Sequence, residues 1–339
     1  MTLRDPPAIH QCRRAFVAGF GDDAHSVLRL ILIFIVIVIL IFLPRGSRLR
    51  LRRRLRLRTK IAPRKIVADL PRATYGHARV AVHLTILGSG SSGNCAYVET
   101  DEARVLVDAG FSGRQIRQRL ASIGRAPENL SAIFITHEHT DHINGLAGLA
   151  DKLRIPVYCN RATKDEIDRI LNVRAEFRLF TSGEGFEIGD LTVETFSIPH
   201  DAQDPVGYLL RTPTANIGFA TDLGHVTRLV AERIRHANAL VLESNHDVKM
   251  LQDCPRRPWS LKQRILGRHG HLSNEAAADC AADIMTGNLK HLYLGHLSRE
   301  CNKPELAQRV VQKRLDAIGA AHVRLELTAQ NTPCQTLTL

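Results

Sequence analysis

From Val82 to the C-terminus the sequence predicts an α+β layered domain in which helices cover the faces of sheets. Two observations predict it. Short β-rich runs recur along the chain, punctuated first by turns and then by helical stretches. A dense histidine and carboxylate string follows directly on an apolar strand. The 44% apolar content is enough to build a sizeable core.

The elements follow in order. His83–Leu87 reads as a strand and Gly88-Ser-Gly-Ser-Ser-Gly-Asn94 as a turn cluster. Cys95–Glu99 and Arg104–Val107 read as two strands of a hairpin. Ile116, Leu120 and Ile123 mark a helix over 113–123, and Ala132–Ile135 is a short buried strand ending at Thr136. A helix over 145–152, a strand fragment at 157–158 and a helix over 162–171 come next. Strands are expected near 185–188, 191–197, 206–211 and 216–221. The remainder alternates: helix 225–235, strand 239–242, helices 259–267 and 273–285, strand 290–294, helix 303–317, strand 322–327. No internal repeat is visible.

Residues 1–80 read differently. They hold 17 Lys/Arg and 4 Asp/Glu, a net of +13, whereas residues 81–339 hold 29 and 30, a net of −1. The formal +12 of the whole chain therefore says nothing about the partner of the second segment. Residues 30–43 form an unbroken apolar run of 14, extended to 17 only by counting back to residue 27 across Arg29. A basic block from Arg45 to Lys60 follows. A spanning helix needs about 20 apolar residues and no fewer than about 17. Three readings stand. Residues 27–43 anchor a cytoplasmic enzyme to the inner face of the membrane, with membrane contact through residues 27–60. Alternatively the block is a basic arm for nucleic acid. In the third reading the true start lies near Val80 or Val82, which the low-complexity texture without amphipathic period favours. In each case residues 81–339 are the expected catalytic domain. Seven cysteines, an odd number with no CxxC pair, argue against a disulfide framework or a cysteine-based zinc site and fit a reducing, cytoplasmic compartment.

The string Thr136-His137-Glu138-His139-Thr140-Asp141-His142-Ile143-Asn144-Gly145 packs three imidazoles and a carboxylate into six positions. A tight turn at a strand end lets such close side chains converge. Imidazole nitrogen suits zinc, manganese or iron, and carboxylate oxygen balances charge. One metal rarely takes four ligands from so short a loop, so two adjacent metals are the natural reading. The bland alternative is a surface histidine-rich stretch that binds metal adventitiously.

H-x-H-x-D-H is the signature of the metallo-β-lactamase superfamily, and the chain resembles that family in four further motifs. These are Asp108 in Leu-Val-Asp-Ala-Gly, His200 in Ser-Ile-Pro-His, Asp222 in Gly-Phe-Ala-Thr-Asp and His296 in Leu-Gly-His-Leu-Ser. The resemblance covers residues 82–339 and implies a four-layer αβ/βα sandwich with metals at one edge of the sheets. The chain further resembles the YycJ/WalJ-like branch, whose members are described as DNA exonucleases. The stretches that carry this are the 88–94 loop, Leu242-Glu-Ser-Asn245, Gly270-His-Leu-Ser-Asn274 and Leu294-Gly-His-Leu-Ser-Arg-Glu300. Leu223-Gly-His225 after Asp222, and His246 after Asn245, depart from the branch and bear on the substrate rather than the metals. The resemblance implies two divalent metal ions, zinc first and manganese second. One takes His137, His139 and His200, the other Asp141, His142 and His296, and Asp222 bridges. Asp108 is implied to hydrogen-bond a ligating histidine.

A hydroxide bridging two metals is a nucleophile at neutral pH, and the pair polarises a phosphoryl oxygen. Asp141 is expected to hold the nucleophilic water as well as a metal. His271 is the candidate general acid, because imidazole titrates near neutral pH. Its alternatives are a cap for the helix at Ser273 or a phosphate contact. Arg256, Arg257, Lys262, Arg264 and Arg268 around Trp259 suit a nucleic-acid backbone, although charge runs are usually solvated helix faces. Asn94 is a candidate substrate contact, His225 is expected to begin a helix, and Glu138 is expected to be solvated or structural. His236, His246, His269, His291 and His322 read as structural or surface. The expected function is a metal-dependent ester hydrolase, first a DNA phosphodiesterase or exonuclease, with a small-molecule cyclic phosphodiester or lactone hydrolase as the alternative. No flavin or nucleotide cofactor is expected. The chain leaves no room for a flavin domain, and the 88–94 loop lacks the lysine of a P-loop.

Overall fold

The computed structural model describes residues 81–339, so the expectations for residues 1–80, including an anchor at 27–43, fall outside the described residues. β1 (His83–Gly88), β2 (Cys95–Glu99) and β3 (Arg104–Val107) form a meander. α1 (Gly113–Ser122) leads to β4 (Ala132–Phe134), α2 (Thr140–Ile143) and α3 (Leu146–Leu153) to β5 (Val157–Asn160), and α4 (Arg161–Ile170) to β6 (Phe177–Phe180). β7 (Gly185–Ile188), β8 (Leu191–Ser197), β9 (Val206–Arg211) and β10 (Asn216–Ala220) open the second half. α5 (Arg228–Ile234) connects to β11 (Ala239–Glu243). α6 (Val248–Asp253), α7 (Trp259–Leu266) and α8 (Asn274–Asp283) precede β12 (His291–Gly295). α9 (Pro304–Ala317) precedes β13 (Arg324–Leu327), and β14 (Leu337–Thr338) pairs back onto β1.

The strands form two seven-stranded sheets, ordered β14-β1-β2-β3-β4-β5-β6 and β13-β12-β11-β10-β9-β8-β7. Both follow one plan. β14 to β3 pair antiparallel and β3 to β6 parallel. β7 to β10 pair antiparallel and β10 to β13 parallel. The two halves therefore repeat in topology without repeating in sequence.

Alternating side chains sort into layers. Val105 and Val107 meet Val193, Tyr208, Phe219 and Val241 between the sheets. Leu106 instead joins Ile116, Leu120 and Leu149 under α1 and α3. In the second sheet Leu240 and Leu242 lie with Val230, Ala277 and Val311 of α5, α8 and α9. Strands buried on both faces explain the near-continuous apolar runs such as Ala239–Leu242. The result is the four-layer αβ/βα sandwich that the resemblance implied.

The expected elements are present with shifted ends, and the exceptions have physical causes. α2 and α6 are too short to show a helical period. β6 and β14 are edge strands with no fully buried residue, so their pairing partners rather than their own pattern make them strands. α5 begins only after Thr227, whose side chain accepts from Val230 N–H. His225 thus lies in the preceding loop and does not begin the helix. Among the described residues no helix is long and apolar enough to cross a membrane.

Candidate metal centre

The ligand-type side chains gather just beyond the carboxyl ends of the central strands. Asp108 follows β3, His137 follows β4, His200 follows β8, Asp222 follows β10, Glu243 ends β11 and His296 follows β12. Open α/β sheets place ligands at this edge. Register keeps the groups level: Ala220 pairs with Leu242 and Leu242 with Leu294, so Asp222 and His296 each lie two residues past one line of partners. Asp108, Asp222 and His296 have φ of 61°, 55° and 54°. That left-handed backbone costs a non-glycine residue about 1–3 kcal/mol, and such strain concentrates at functional sites.

The histidine string occupies the loop after β4. His139 caps α2, whose single turn brings His142 back against His137, with ring centroids 4.1 Å apart. Gly110 seats this loop, since an added Cβ would lie 1.6 Å from the Asp141 carbonyl oxygen. His137 Nε2 lies 3.0 Å from His139 Nδ1, which lies 3.3 Å from His200 Nε2. His200 Nδ1–H donates to the Gly270 carbonyl at 3.0 Å, so its Nε2 keeps a bare lone pair. Burial, with His142 as a like-charged neighbour, pushes the His137 pKa well below its usual value, and burial likewise lowers that of His200. Three imidazole nitrogens gathered this closely form a donor set that suits a zinc-like ion.

The other side of the site is acidic. His142 Nε2 lies 3.2 Å from Asp222 Oδ2 and 3.7 Å from Asp141 Oδ2, and His296 Nε2 lies 3.7 Å from that same Asp141 oxygen. Asp108 accepts from His142 Nδ1 at 2.7 Å and from Thr136 N–H at 2.9 Å, which turns His142 Nε2 inward. Burial alone would lower the His142 and His296 pKa values. Asp108 and Asp222 around the first, and Asp222 and Asp141 around the second, raise both well above the usual range. Asp222 lies between the two groups of histidines: Oδ1 is 2.9 Å from His296 Nδ1 and 3.9 Å from His200 Nε2. Its buried Oδ2 makes no well-aligned hydrogen bond among the described residues. A buried carboxylate oxygen whose nearest partner is the His142 imidazole at 3.2 Å, without hydrogen-bond alignment, fits a place beside a cation.

Sequence reasoning named Glu243 only within the Leu242-Glu-Ser-Asn245 stretch and gave it no role. It is fully buried at the end of β11. Oε1 accepts from His271 Nδ1 at 2.8 Å and His296 Nδ1 at 2.9 Å, and Oε2 accepts from Leu223 N–H at 2.7 Å and Leu272 N–H at 3.0 Å. Its atoms lie among possible ligand atoms of Asp222, His271 and His296. Four accepted bonds nevertheless occupy the lone pairs of a carboxylate, so Glu243 orients imidazoles rather than holding metal. Burial opposes its charge, yet His271 and His296 hold its pKa down to about 2. In return, and against burial, Glu243 raises the His271 pKa. The available signals were a lone carboxylate ending an apolar strand and its place in the Leu242-Glu-Ser-Asn245 stretch.

His271 does not cap α8, because the Ser273 side chain does so by accepting from Ala276 N–H. It instead lines a cleft of about 240 Å³ together with His139, Asp141, Asp222 and His296. Asp201, Arg257, Leu261, Arg264 and Ile265 line the same cleft. The basic segment therefore splits. Lys262 is buried and donates to the Gln252 carbonyl at 2.7 Å, so it offers no charge to a nucleic acid. Arg268 lies 3.3 Å from His225 Nε2, and Trp259 stands 63% exposed on the helix face away from the cleft-lining residues. Asn94 is buried and does not await substrate. Its amide group contacts Asp141 Oδ2 at 3.3 Å and its Oδ1 accepts from Gly90 N–H at 2.9 Å. Glu138 is buried rather than solvated and accepts from Gln203 N–H at 2.8 Å.

The family model described as the Beta-lactamase superfamily domain matches residues 103–296. The chain belongs to the metallo-β-lactamase superfamily. Within this superfamily it is similar to Exodeoxyribonuclease YycJ of Bacillus anthracis, 41% identical over 242 residues that span 71% of this chain and 91% of that protein. It is also similar to Exodeoxyribonuclease WalJ of Streptococcus pneumoniae, 38% identical over 70% of this chain and 90% of that one. The crystal structure of the metallo-β-lactamase fold protein YhfI from Bacillus subtilis superposes with a TM-score of 0.59 at 14% identity, covering 76% of this chain and 99% of that one, a likeness of fold alone.

Proposed function

We propose that residues 81–339 form a metal-dependent phosphodiesterase, an exonuclease that acts on DNA ends. The observation that carries this reading is a cleft lined by His139, Asp141, Asp222, His296 and a Glu243-held His271, with His137 and His200 gathered behind His139. Similarity to two exodeoxyribonucleases over nine-tenths of their length supports the substrate. His137, His139 and His200 would hold one divalent ion, Asp141, His142 and His296 a second, with Asp222 between them, and zinc or manganese suits these donors. Such ions supply Lewis acidity toward a phosphoryl oxygen and lower the pKa of water.

The remaining work falls to the chain itself. Asp141 faces the cleft and takes the proton of the attacking water. His271 donates a proton to the leaving oxygen from Nε2, since Nδ1 is committed to Glu243. Asp108 keeps His142 in one tautomer. The described cysteines are all free, which supports a reducing, cytoplasmic setting. The test is metal analysis of the purified full-length chain, then incubation with end-labelled duplex DNA and zinc or manganese beside an Asp141→Ala control. Metal-dependent shortening absent from the control is the expected result. Bound metal with intact DNA would overturn the nuclease and favour a hydrolase of small cyclic phosphodiesters or lactones.

A further inference from the structure

The part of the cleft wall that holds Asp201 and α7 has a composition of its own. Leu261, Arg264 and Ile265 share one face of α7, and Arg257 joins them from the preceding segment. Arg257 and Arg264 are the lining side chains with a permanent positive charge. Each is fixed by an acid through Nε alone: Arg264 by Asp201, and Arg257 by Glu300 at 2.9 Å. Their terminal Nη groups donate to nothing among the described residues. An anchored guanidinium with both outer nitrogens free is the arrangement that grips a phosphate at two points. The methyl groups of Leu261 and Ile265 supply an apolar surface beside it, suited to a sugar or base.

We infer that this wall is a subsite for the nucleotide flanking the scissile bond, with Arg264 and Arg257 holding the next phosphate along. The inference rests on the phosphodiesterase reading and adds an end preference to it. A strand end that carries a phosphate one nucleotide from the cut is bound and cleaved better than one ending in a hydroxyl. Arg256, more exposed and outside the cleft lining, has no part in this.

The test uses the full-length chain and three dinucleotides: unphosphorylated, 5′-phosphorylated and 3′-phosphorylated. One of the two phosphorylated forms is expected to exceed the unphosphorylated one by about tenfold in kcat/KM, mostly through KM. That ratio falls toward one in Arg264→Ala and Arg257→Ala, and Arg264→Lys restores it only in part because an ammonium lacks the fork. Arg314→Ala, which removes a surface pair with Asp279 at 3.1 Å, keeps the full ratio. Calorimetric binding of the same dinucleotides reads the subsite without turnover. A preference in affinity with neither the dinucleotides nor end-labelled duplex DNA cleaved would sink the phosphodiesterase reading and leave the subsite standing. Cleavage indifferent to the extra phosphate, or a preference that survives both alanine variants, would overturn the subsite alone.

Discussion

The first sheet delivers His137, His139, Asp141 and His142 from a single loop, whereas the second delivers His200, Asp222 and His296 from three separate strand ends, with Glu243 behind them. The difference is electrostatic as well as topological. The imidazoles of His137 and His200 are held neutral by burial, while His142 and His296, ringed by carboxylates, are pushed toward the charged form. A short loop concentrates ligands, but its own residues do not set their charge or tautomer. Asp108, Asp222 and Glu243 do that, and each arrives from a different strand.

The largest expected effect comes from removing the group that touches both sides. Asp222→Asn should lose bound metal and lower DNA cleavage by more than the about 10–100-fold typical of an outer carboxylate. Elemental analysis beside a circular dichroism spectrum reads this, and unchanged metal content would break the view that Asp222 joins the two groups. Gly110→Ala comes next. Its Cβ meets the Asp141 backbone, so the loop must shift, at about 1–3 kcal/mol in thermal stability and with a marked loss of activity. A variant with native melting and full activity would show that the loop holds its shape without that seat.

Asp108→Asn and Glu243→Gln compare the two sheets directly, each with an expected loss of about 10–100-fold in activity. Their pH profiles should differ. The Glu243 charge keeps His271 protonated to higher pH than burial would allow. The alkaline limb of kcat/KM should therefore move down in Glu243→Gln and stay in place in Asp108→Asn. The same limb in both variants would remove His271 from the general-acid role.

The smallest effect lies far from the site. Burial opposes the Glu99 charge, but Arg125 and then Tyr97 and Arg104 hold its pKa below the usual value. A depressed carboxylate stabilises the fold above its unfolded pKa of about 4.3 and loses that contribution as pH falls through the folded value. Arg125→Ala should thus cost no more than about 1 kcal/mol at neutral pH and progressively less in acid, as denaturant melts at both pH values would show.

Much of the site was legible because its densest part is contiguous. Six consecutive positions, from His137 to His142, carry three histidines and two carboxylates, and the flanking apolar runs mark buried strands. Glu243 was not legible. A carboxylate after Ala239–Leu242 has the same appearance whether it meets water or two imidazoles. Lys262 misled in the opposite sense, since a lysine in a basic run reads as solvated, yet it reaches a carbonyl on the neighbouring α6. Asn94, a candidate substrate contact, braces the loop backbone instead, and of the two readings of Glu138, solvated or structural, the structural one holds.

By itself the sequence determined the layered α+β architecture and the order of the ligand-type residues, because both are written in local periodicity and in side-chain chemistry. Only the tertiary structure decided which nitrogen of each histidine faces inward. His200 is set by the carbonyl of Gly270, His142 by Asp108 and His296 by Glu243. These partners are brought together by strand register across two sheets, and hydrogen-bond geometry between groups so far apart in the chain has no local signature.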